Sequence, residues 1–275
     1  MADIMGPFSF NALRFCLGTA ALVPLLFILK NTPTPRQKEN MKKPSFVLIC
    51  TAIGFFLFAG SAFQQIGLIY TTAGKASFIT SLYIVAVPLL GLALKNALRI
   101  SHIFGCLIAV IGLYLLAFHD AGTTINIGDM FELVGVFFWS CHILCIGRFA
   151  PSYPGIFLSF GQFIACTIFN FIAMFINGEI LTLSIIAASA TAILYCGLFS
   201  SCVGYTLQII AQRHVAPTEA SLLCSFEMIF GALAGVLLLG EWMSSREFIG
   251  CLLMTIGIFS AQIPSRTVIQ FAKSS

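Results

Sequence analysis

Charge is what this sequence has least of. Aspartate, glutamate, lysine and arginine make up 9% of its 275 residues, against 59% apolar residues, and the mean hydropathy is +1.01. A water-soluble domain of that composition would expose large apolar patches, so lipid is the natural solvent. Period-two alternation of apolar and polar residues is also lacking, which excludes a membrane β-barrel and leaves helices as the way to satisfy every backbone group in lipid. No glycine-rich phosphate loop occurs, so the sequence gives no support to ATP-driven pumping. No nucleophile–base pair or metal set stands at membrane depth. No catalytic residue, metal site, cofactor or nucleic-acid partner is therefore expected, and the chain is not read as an enzyme.

No charged n-region or cleavage signature precedes the first apolar run, which is read as a span and not as a removable signal. The ten cysteines lie almost wholly inside apolar runs, where a thiol packs as a small hydrophobe, and they imply no disulfide framework. Cys141, His142 and Cys145 offer three metal-ligand types on one helix but no fourth.

What the sequence does have is long apolar runs. Crossing a hydrocarbon core of roughly 30 Å takes about 20 apolar residues as a helix. Runs bounded by charge, proline or glycine predict spans near 8–29, 45–70, 76–94, 101–118, 130–147, 154–176, 185–212, 218–239 and 247–263. The resulting loops alternate between two sides. One side collects Lys30, Arg36, Lys38, Lys42, Lys43, Lys95, Arg99, Arg148, Arg213, Arg266 and Lys273; the other has only Lys75 and Arg246. Lysine and arginine mark the cytoplasmic side, so the C-terminus is expected in the cytoplasm of a cell whose inner membrane holds the protein. The N-terminus, Asp120, Asp129 and Glu179 then lie on the opposite side.

An internal repeat is present. Phe104-Gly105-Cys106-Leu107 through Ile111-Gly112 matches Ile249-Gly250-Cys251-Leu252 through Ile256-Gly257, and Ala76-Ser77 with Ser81 matches Ala220-Ser221 with Ser225. Its boundaries are a first repeat over 1–118, an extracytoplasmic linker over 119–129, a second repeat over 130–263 and a cytoplasmic tail over 264–275. A repeat with an odd number of spans places its second copy upside down in the membrane, the arrangement by which many secondary transporters alternate access.

Several segments are similar to a known family. They are Gly6-Pro7-Phe8 with Asn11-Ala12-Leu13-Arg14-Phe15, Thr71 to Ser77 leading to Ser81-Leu82-Tyr83 and Pro88-Leu89, Ala216-Pro217-Thr218-Glu219-Ala220-Ser221-Leu222, and Leu239-Gly240-Glu241 before the glycine-spaced last helix. In order and spacing they resemble the drug/metabolite transporter superfamily, in its EamA-type members with two repeats of five helices. The resemblance implies an all-α integral membrane fold of about nine transmembrane helices in two inverted repeats (4 + 5). Members usually open with a helix bearing a Trp-Gly pair, and only Met1 to Met5 precede Gly6, so the expectation is a ten-helix bundle lacking its first helix. Met228 stands where members commonly carry proline. The implied activity is a secondary carrier, an exporter of amino acids or related small solutes. The competing reading is a non-transporting helix bundle or truncated remnant. The solute and the bilayer are the expected partners, and a homodimer is left open.

Polar residues inside a bundle are costly in lipid and mark cavities or helix contacts. Ser201, Tyr205, Gln208 and Gln212 form one stripe at helical spacing. Ser159, Gln162, Cys166 and Asn170 form another, Glu132, Gly135, Trp139 and His142 a third, and Ser77, Ser81 and Pro88 with Tyr83 a fourth. Gln64, Gln65, Tyr83, Trp139, His142, Tyr205, Gln208 and Glu227 are the candidate solute-cavity residues. Glu227 lies about nine residues into its predicted span, roughly 13 Å deep at 1.5 Å per residue, where a carboxyl is a candidate for coupling solute to a proton. The alternative for each stripe is interhelical hydrogen bonding. Arg14, at a shallower depth of about 9 Å, either snorkels to the surface or attracts an anionic group. Lys75 and Glu219 lie at corresponding helix entrances, and the resemblance makes them, with Arg14 and Pro88, gate or motif residues. Gly231 and Gly235 form a small-xxx-small pair suited to close helix approach.

Overall fold

The computed structural model describes residues 5–29, 33–94, 96, 98–117, 126–239, 244–263 and 268–269. Lys30, Lys95, Asp120, Glu241, Arg266 and Lys273 lie outside the described residues, as do most of the expected linker and tail. Among the described residues, six helical stretches are long and apolar enough to cross a membrane: 7–28, 44–70, 73–93, 127–152, 155–176 and 183–211. Shorter helices accompany them. The all-helical membrane architecture expected from hydropathy is thus what forms, with differences in how the helices are divided.

The elements in chain order are α1 (Pro7–Ile28), α2 (Pro35–Met41), α3 (Pro44–Tyr70), α4 (Ala73–Ser81), α5 (Tyr83–Ala93), β1 (Leu98–Arg99), α6 (Ile100–Ala117), α7 (Ile127–Phe149), α8 (Gly155–Ile176) and α9 (Leu183–Tyr195). A π-helical segment (Cys196–Tyr205) then leads into α10 (Thr206–Ala211), α11 (Pro217–Cys224), α12 (Phe226–Leu239), α13 (Ser245–Gln262) and β2 (Val268–Ile269). β1 pairs antiparallel with β2, Leu98 opposite Ile269 and Arg99 opposite Val268.

Three of the predicted spans are subdivided. The span predicted over 76–94 breaks at Leu82, whose N–H bonds to the Ile79 carbonyl at 3.0 Å in a tightened turn. The span over 218–239 breaks at Ser225, where the hydroxyl donates to the Leu222 carbonyl at 2.6 Å and so competes with the helix's own bonds. The kink that a proline at position 228 would have supplied thus comes from a serine three residues earlier. The span over 185–212 widens into the π-helical segment around Gly197 and Gly204. The stretch 30–44, expected as a loop, contains α2, started by Pro35 and a capping box between Thr34 and Gln37.

The chain forms two compact units, each drawing on both halves of the sequence. Unit 1 comprises residues 1–69 and 145–215; unit 2 comprises 70–144 and 216–275. In unit 1, α1 packs along α8 and the π-helical segment, with Phe15, Leu22, Leu158, Phe163 and Ile209 fully buried. The start of α1 is capped from a distance. Gly178, at φ +65°, ends α8 in the left-handed conformation that glycine adopts without strain. Next to it, the Glu179 carboxylate accepts from Phe8 N–H (3.2 Å), Ser9 N–H (2.7 Å) and Ser9 Oγ (2.6 Å). A carboxylate there satisfies orphan donors and complements the positive end of the helix.

In unit 2, α6 and α13 are the closest-packed helices. A Cβ placed on Gly105 would come within 2.6 Å of the Gly257 carbonyl oxygen, and one on Gly257 within 2.7 Å of the Gly105 oxygen. Gly112 and Gly250 repeat this reciprocity at 2.6 and 2.7 Å. The four glycines of the sequence repeat therefore meet one another across a near-symmetric contact. Among the described residues, nothing lies within 4 Å of a Cβ on Gly231.

Candidate functional site

In unit 1 the polar residues of α1 are buried deeply. Asn11 and Arg14 stand one turn apart on the same helix face and are 0% and 6% exposed. Arg14 therefore does not snorkel. Among the described residues its Nε and Nη2 have no hydrogen-bond partner, nor do Asn11 Oδ1 and Nδ2. The guanidinium carbon lies 4.7 Å from the Phe15 ring centre and 5.7 Å from that of Phe10, a cation–π arrangement that offsets only part of its lost hydration. The Phe15 ring in turn lies 6.0 Å from Phe163 and 6.1 Å from Tyr205.

Facing elements bring further buried polar atoms. The π-helical segment lies so close to α1 that a Cβ on Gly18 would be 3.1 Å from the Ser201 Cβ, and one on Gly197 would be 3.0 Å from the Arg14 carbonyl oxygen. Ser201 Oγ is fully buried and has no partner. On α8, Gln162, Cys166 and Asn170 are fully buried; Asn170 Nδ2 donates to the Cys166 carbonyl at 2.9 Å, and its Oδ1 is unpartnered. Of the predicted cavity residues in this unit, Tyr205 reaches the cluster through Phe15. Gln64 and Gln65 are half-buried on α3, and Gln208 Nε2 donates to Gln212 Oε1 at 3.4 Å. Sequence reasoning placed Ser201, Gln162 and Asn170 on polar stripes but passed over Asn11. The signal was there: an amide and a guanidinium three residues apart on a largely apolar helix.

In unit 2 the two predicted entrance residues are ion-paired. Lys75, in the first turn of α4, contacts Asp129 Oδ2, and Asp129 Oδ1 accepts from Thr71 Oγ1 at 2.9 Å. Asp129 also forms a reciprocal cap with Asn126, at 2.9 and 3.0 Å, that starts α7. Glu219, in the first turn of α11, lies 3.4 Å from Arg99 Nη1 and 3.5 Å from His102 Nε2. The path from Lys75 to Arg99 runs along α4 and α5, about 30 Å at 1.5 Å per residue, so the two ion pairs mark opposite ends of the unit. From sequence, Asp129 and Arg99 are legible only as charges at span ends, and His102 carries no signal.

The remaining predicted residues of unit 2 are spread along it. Trp139 and His142 are buried in edge-to-face contact with centroids 5.9 Å apart. Tyr83 and Pro88 are buried on α5. Glu132, one turn beyond Asp129, is fully buried, with Oε2 accepting from Thr80 Oγ1 at 2.8 Å and Oε1 unpartnered. Glu227 falls in the first turn of α12 because of the break at Ser225, and its side chain is exposed. Among the described residues, no three His, Cys, Asp or Glu side chains gather in a way that would hold a metal.

Comparison with known proteins adds a family. A family model described as the EamA-like transporter family matches residues 1–118 and 126–261. An "Uncharacterized transporter" of Archaeoglobus fulgidus is 29% identical over 257 residues, spanning 93% of this chain and 77% of the relative. One of the same description from Clostridium kluyveri is 22% identical over 262 residues, spanning 92% and 82%. A chloroplastic WAT1-related protein of Arabidopsis thaliana is 25% identical over 278 residues, spanning 95% of this chain and 64% of its own length. A solved crystal structure superposes with a TM-score of 0.77 at 19% identity, over 95% of this chain and 90% of that one; at that identity it speaks for the fold.

Proposed function

The chain belongs to the EamA-like transporter family, and from that premise we propose that it is a secondary carrier exporting amino acids or related small solutes by alternating access. It is a multi-pass membrane transporter of small solutes; the solute class, direction and coupling are our reading. The observation that carries it is the buried, unpartnered polar cluster of unit 1. Helix-joining polar groups in lipid find one another, because an unsatisfied group costs several kcal/mol there. Asn11, Arg14 and Ser201 do not, which supports a role in exchanging a solute's hydration for protein contacts.

Candidate solute-contacting groups are Gln64, Gln65, Tyr205 and Gln208 on unit 1 and Tyr83, Trp139 and His142 on unit 2. Lys75 with Asp129, and Glu219 with Arg99 and His102, are the candidate gate pairs, each able to open and close by breaking one ion pair at one end of unit 2. Glu227, exposed and carrying a proton-exchangeable group, is the candidate coupling site. Pro88, inside α5, has no N–H to donate and so is a candidate flexing point of the helix that follows the Leu82 break.

The test is transport in proteoliposomes holding the purified full chain, loaded with a panel of radiolabelled amino acids, with and without an imposed pH gradient. Saturable efflux of a subset of the panel is expected, accelerated by the gradient. Glu227→Gln is expected to keep exchange of solute but lose the acceleration. Silence across the whole panel would favour a non-transporting bundle, and a Glu227→Gln protein with full gradient dependence would remove Glu227 from the mechanism.

A further inference from the structure

We propose that Arg14, with Asn11 and Ser201, is a binding site for the carboxylate of the carried solute. The inference rests on the transport reading above for the identity of the ligand as a solute, and on the geometry of unit 1 for its charge and shape.

The two unpartnered guanidinium nitrogens are Nε and Nη2. These form one edge of the guanidinium plane, with two parallel N–H bonds at the spacing of the two oxygens of a carboxylate. That edge is inside the protein, on a side chain 6% exposed. A buried guanidinium is retained only against a compensating anion, since removing it from water costs several kcal/mol. The described residues of unit 1 contain two acidic side chains. Glu39 is exposed and pairs with Lys43 at 3.5 Å. Glu179 is committed to the first turn of α1 through three hydrogen bonds. Among the described residues no carboxylate forms an ion pair with Arg14, which leaves its charge open to the carboxylate of a bound solute.

The surrounding atoms define the rest of the ligand. Ser201, beside Gly18 one turn along α1, and Asn11, one turn before Arg14, carry further unpartnered buried donors on the same stretch of helix. The unpartnered amide oxygens of Asn11 and Asn170 offer acceptors for a donor group on the ligand, such as an ammonium or hydroxyl. Phe15, Phe163 and Tyr205 supply an apolar wall. One guanidinium balances one negative charge, which matches a carboxylate better than a phosphate carrying nearly two. The ligand class is therefore a small monocarboxylate bearing a second polar donor, of which an α-amino acid is the simplest case.

The experiment measures binding separately from transport. The detergent-solubilised full chain is heated with each amino acid of the panel and with its carboxamide, in which the negative charge is gone and the shape kept. Saturable stabilisation by at least one acid but not by its amide is expected, and the same preference should appear as competition in the proteoliposome assay. Arg14→Gln is expected to abolish the effect, and Arg14→Lys to restore only part of it, since an ammonium lacks the two-donor edge. Asn11→Asp places a carboxylate one turn from the guanidinium. It should raise the melting temperature of the ligand-free protein while removing stabilisation by the acids.

Equal stabilisation by acid and amide, or none by either, would overturn the proposal, as would an Asn11→Asp protein that still distinguishes them. So would stabilisation that follows added anionic phospholipid in place of the acids, because the anion would then be a headgroup. If acids bind through Arg14 but none is transported, the site stands and the transport reading fails. If solutes are transported with no preference for the charged form, transport stands and the site fails.

Discussion

Two ion pairs of similar chemistry should differ in their worth because their surroundings differ. In the pair between Lys75 and Asp129, the side chains are 20% and 5% exposed, while Arg99 and Glu219 are 42% and 24% exposed. Removing Lys75 leaves a nearly buried carboxylate whose remaining partners, Thr71 and Asn126, are neutral. Truncating one member of a buried pair costs about 3–5 kcal/mol, whereas exposed pairs are worth about 0–1 kcal/mol. Lys75→Met is therefore expected to lower the melting temperature of the solubilised protein markedly, and Arg99→Met by little. Lys75→Met combined with Asp129→Asn should recover most of the loss. If the single Lys75 variant were as stable as the double one, the carboxylate would have found another partner and the pair would not hold this end of unit 2.

At the scale of elements, the internal repeat and the closest helix contact turn out to be one feature. Gly105, Gly112, Gly250 and Gly257 recur in the sequence because each faces the backbone of the other helix, where a side chain has no room. Substituting Gly112 or Gly250 by valine must force α6 and α13 apart, at about 1–3 kcal/mol for a helix pair that can adjust and more for one that cannot. Gly231→Ala meets open space and gains up to about 1 kcal/mol of helix propensity. Thermal unfolding should place both valine variants below the unaltered protein and Gly231→Ala at or above it. The repeat was legible from spacing alone, but the contact between its two copies was not, since the close approach expected from the sequence was at Gly231 and Gly235. The breaks at Leu82 and Ser225 were not, because hydropathy sums over a window and is blind to one hydroxyl bonding back to a carbonyl. The π-helical segment was hidden for the same reason, its glycines and serines being as apolar in sum as an ordinary turn. For Arg14 the sequence left two readings open, snorkelling or attraction of an anion: depth along a helix does not say whether the side chain faces lipid, which requires knowing that α1 packs against α8 and the π-helical segment.

For the whole molecule, orientation follows from where the cations lie and not from their sum. Of the 14 lysines and arginines, Arg14 is inside α1, and only Lys75 and Arg246 fall on the side opposite to the rest. Positive charge resists translocation, so the cluster from Lys30 to Lys43, which includes α2, should remain cytoplasmic. α3, with 27 apolar-rich residues, then carries the chain across to Thr71, Thr72 and Lys75. On that orientation the Lys75–Asp129 pair is expected at the outer end of unit 2 and the Glu219–Arg99 pair at the inner end, the places of the two proposed gates. Reporter fusions decide this directly. A phosphatase active only outside the cytoplasm, joined after residue 41, is expected to be silent, and joined after residue 72 to be active; a reporter that fluoresces only in the cytoplasm should give the opposite pattern. Reversed signals at both positions would invert the molecule and exchange the two gates, and equal signals at both would mean that α3 does not cross. Changing Lys38, Lys42 and Lys43 together to glutamine should raise the fraction of misoriented chains, because most of the cytoplasmic charge ahead of α3 would be gone.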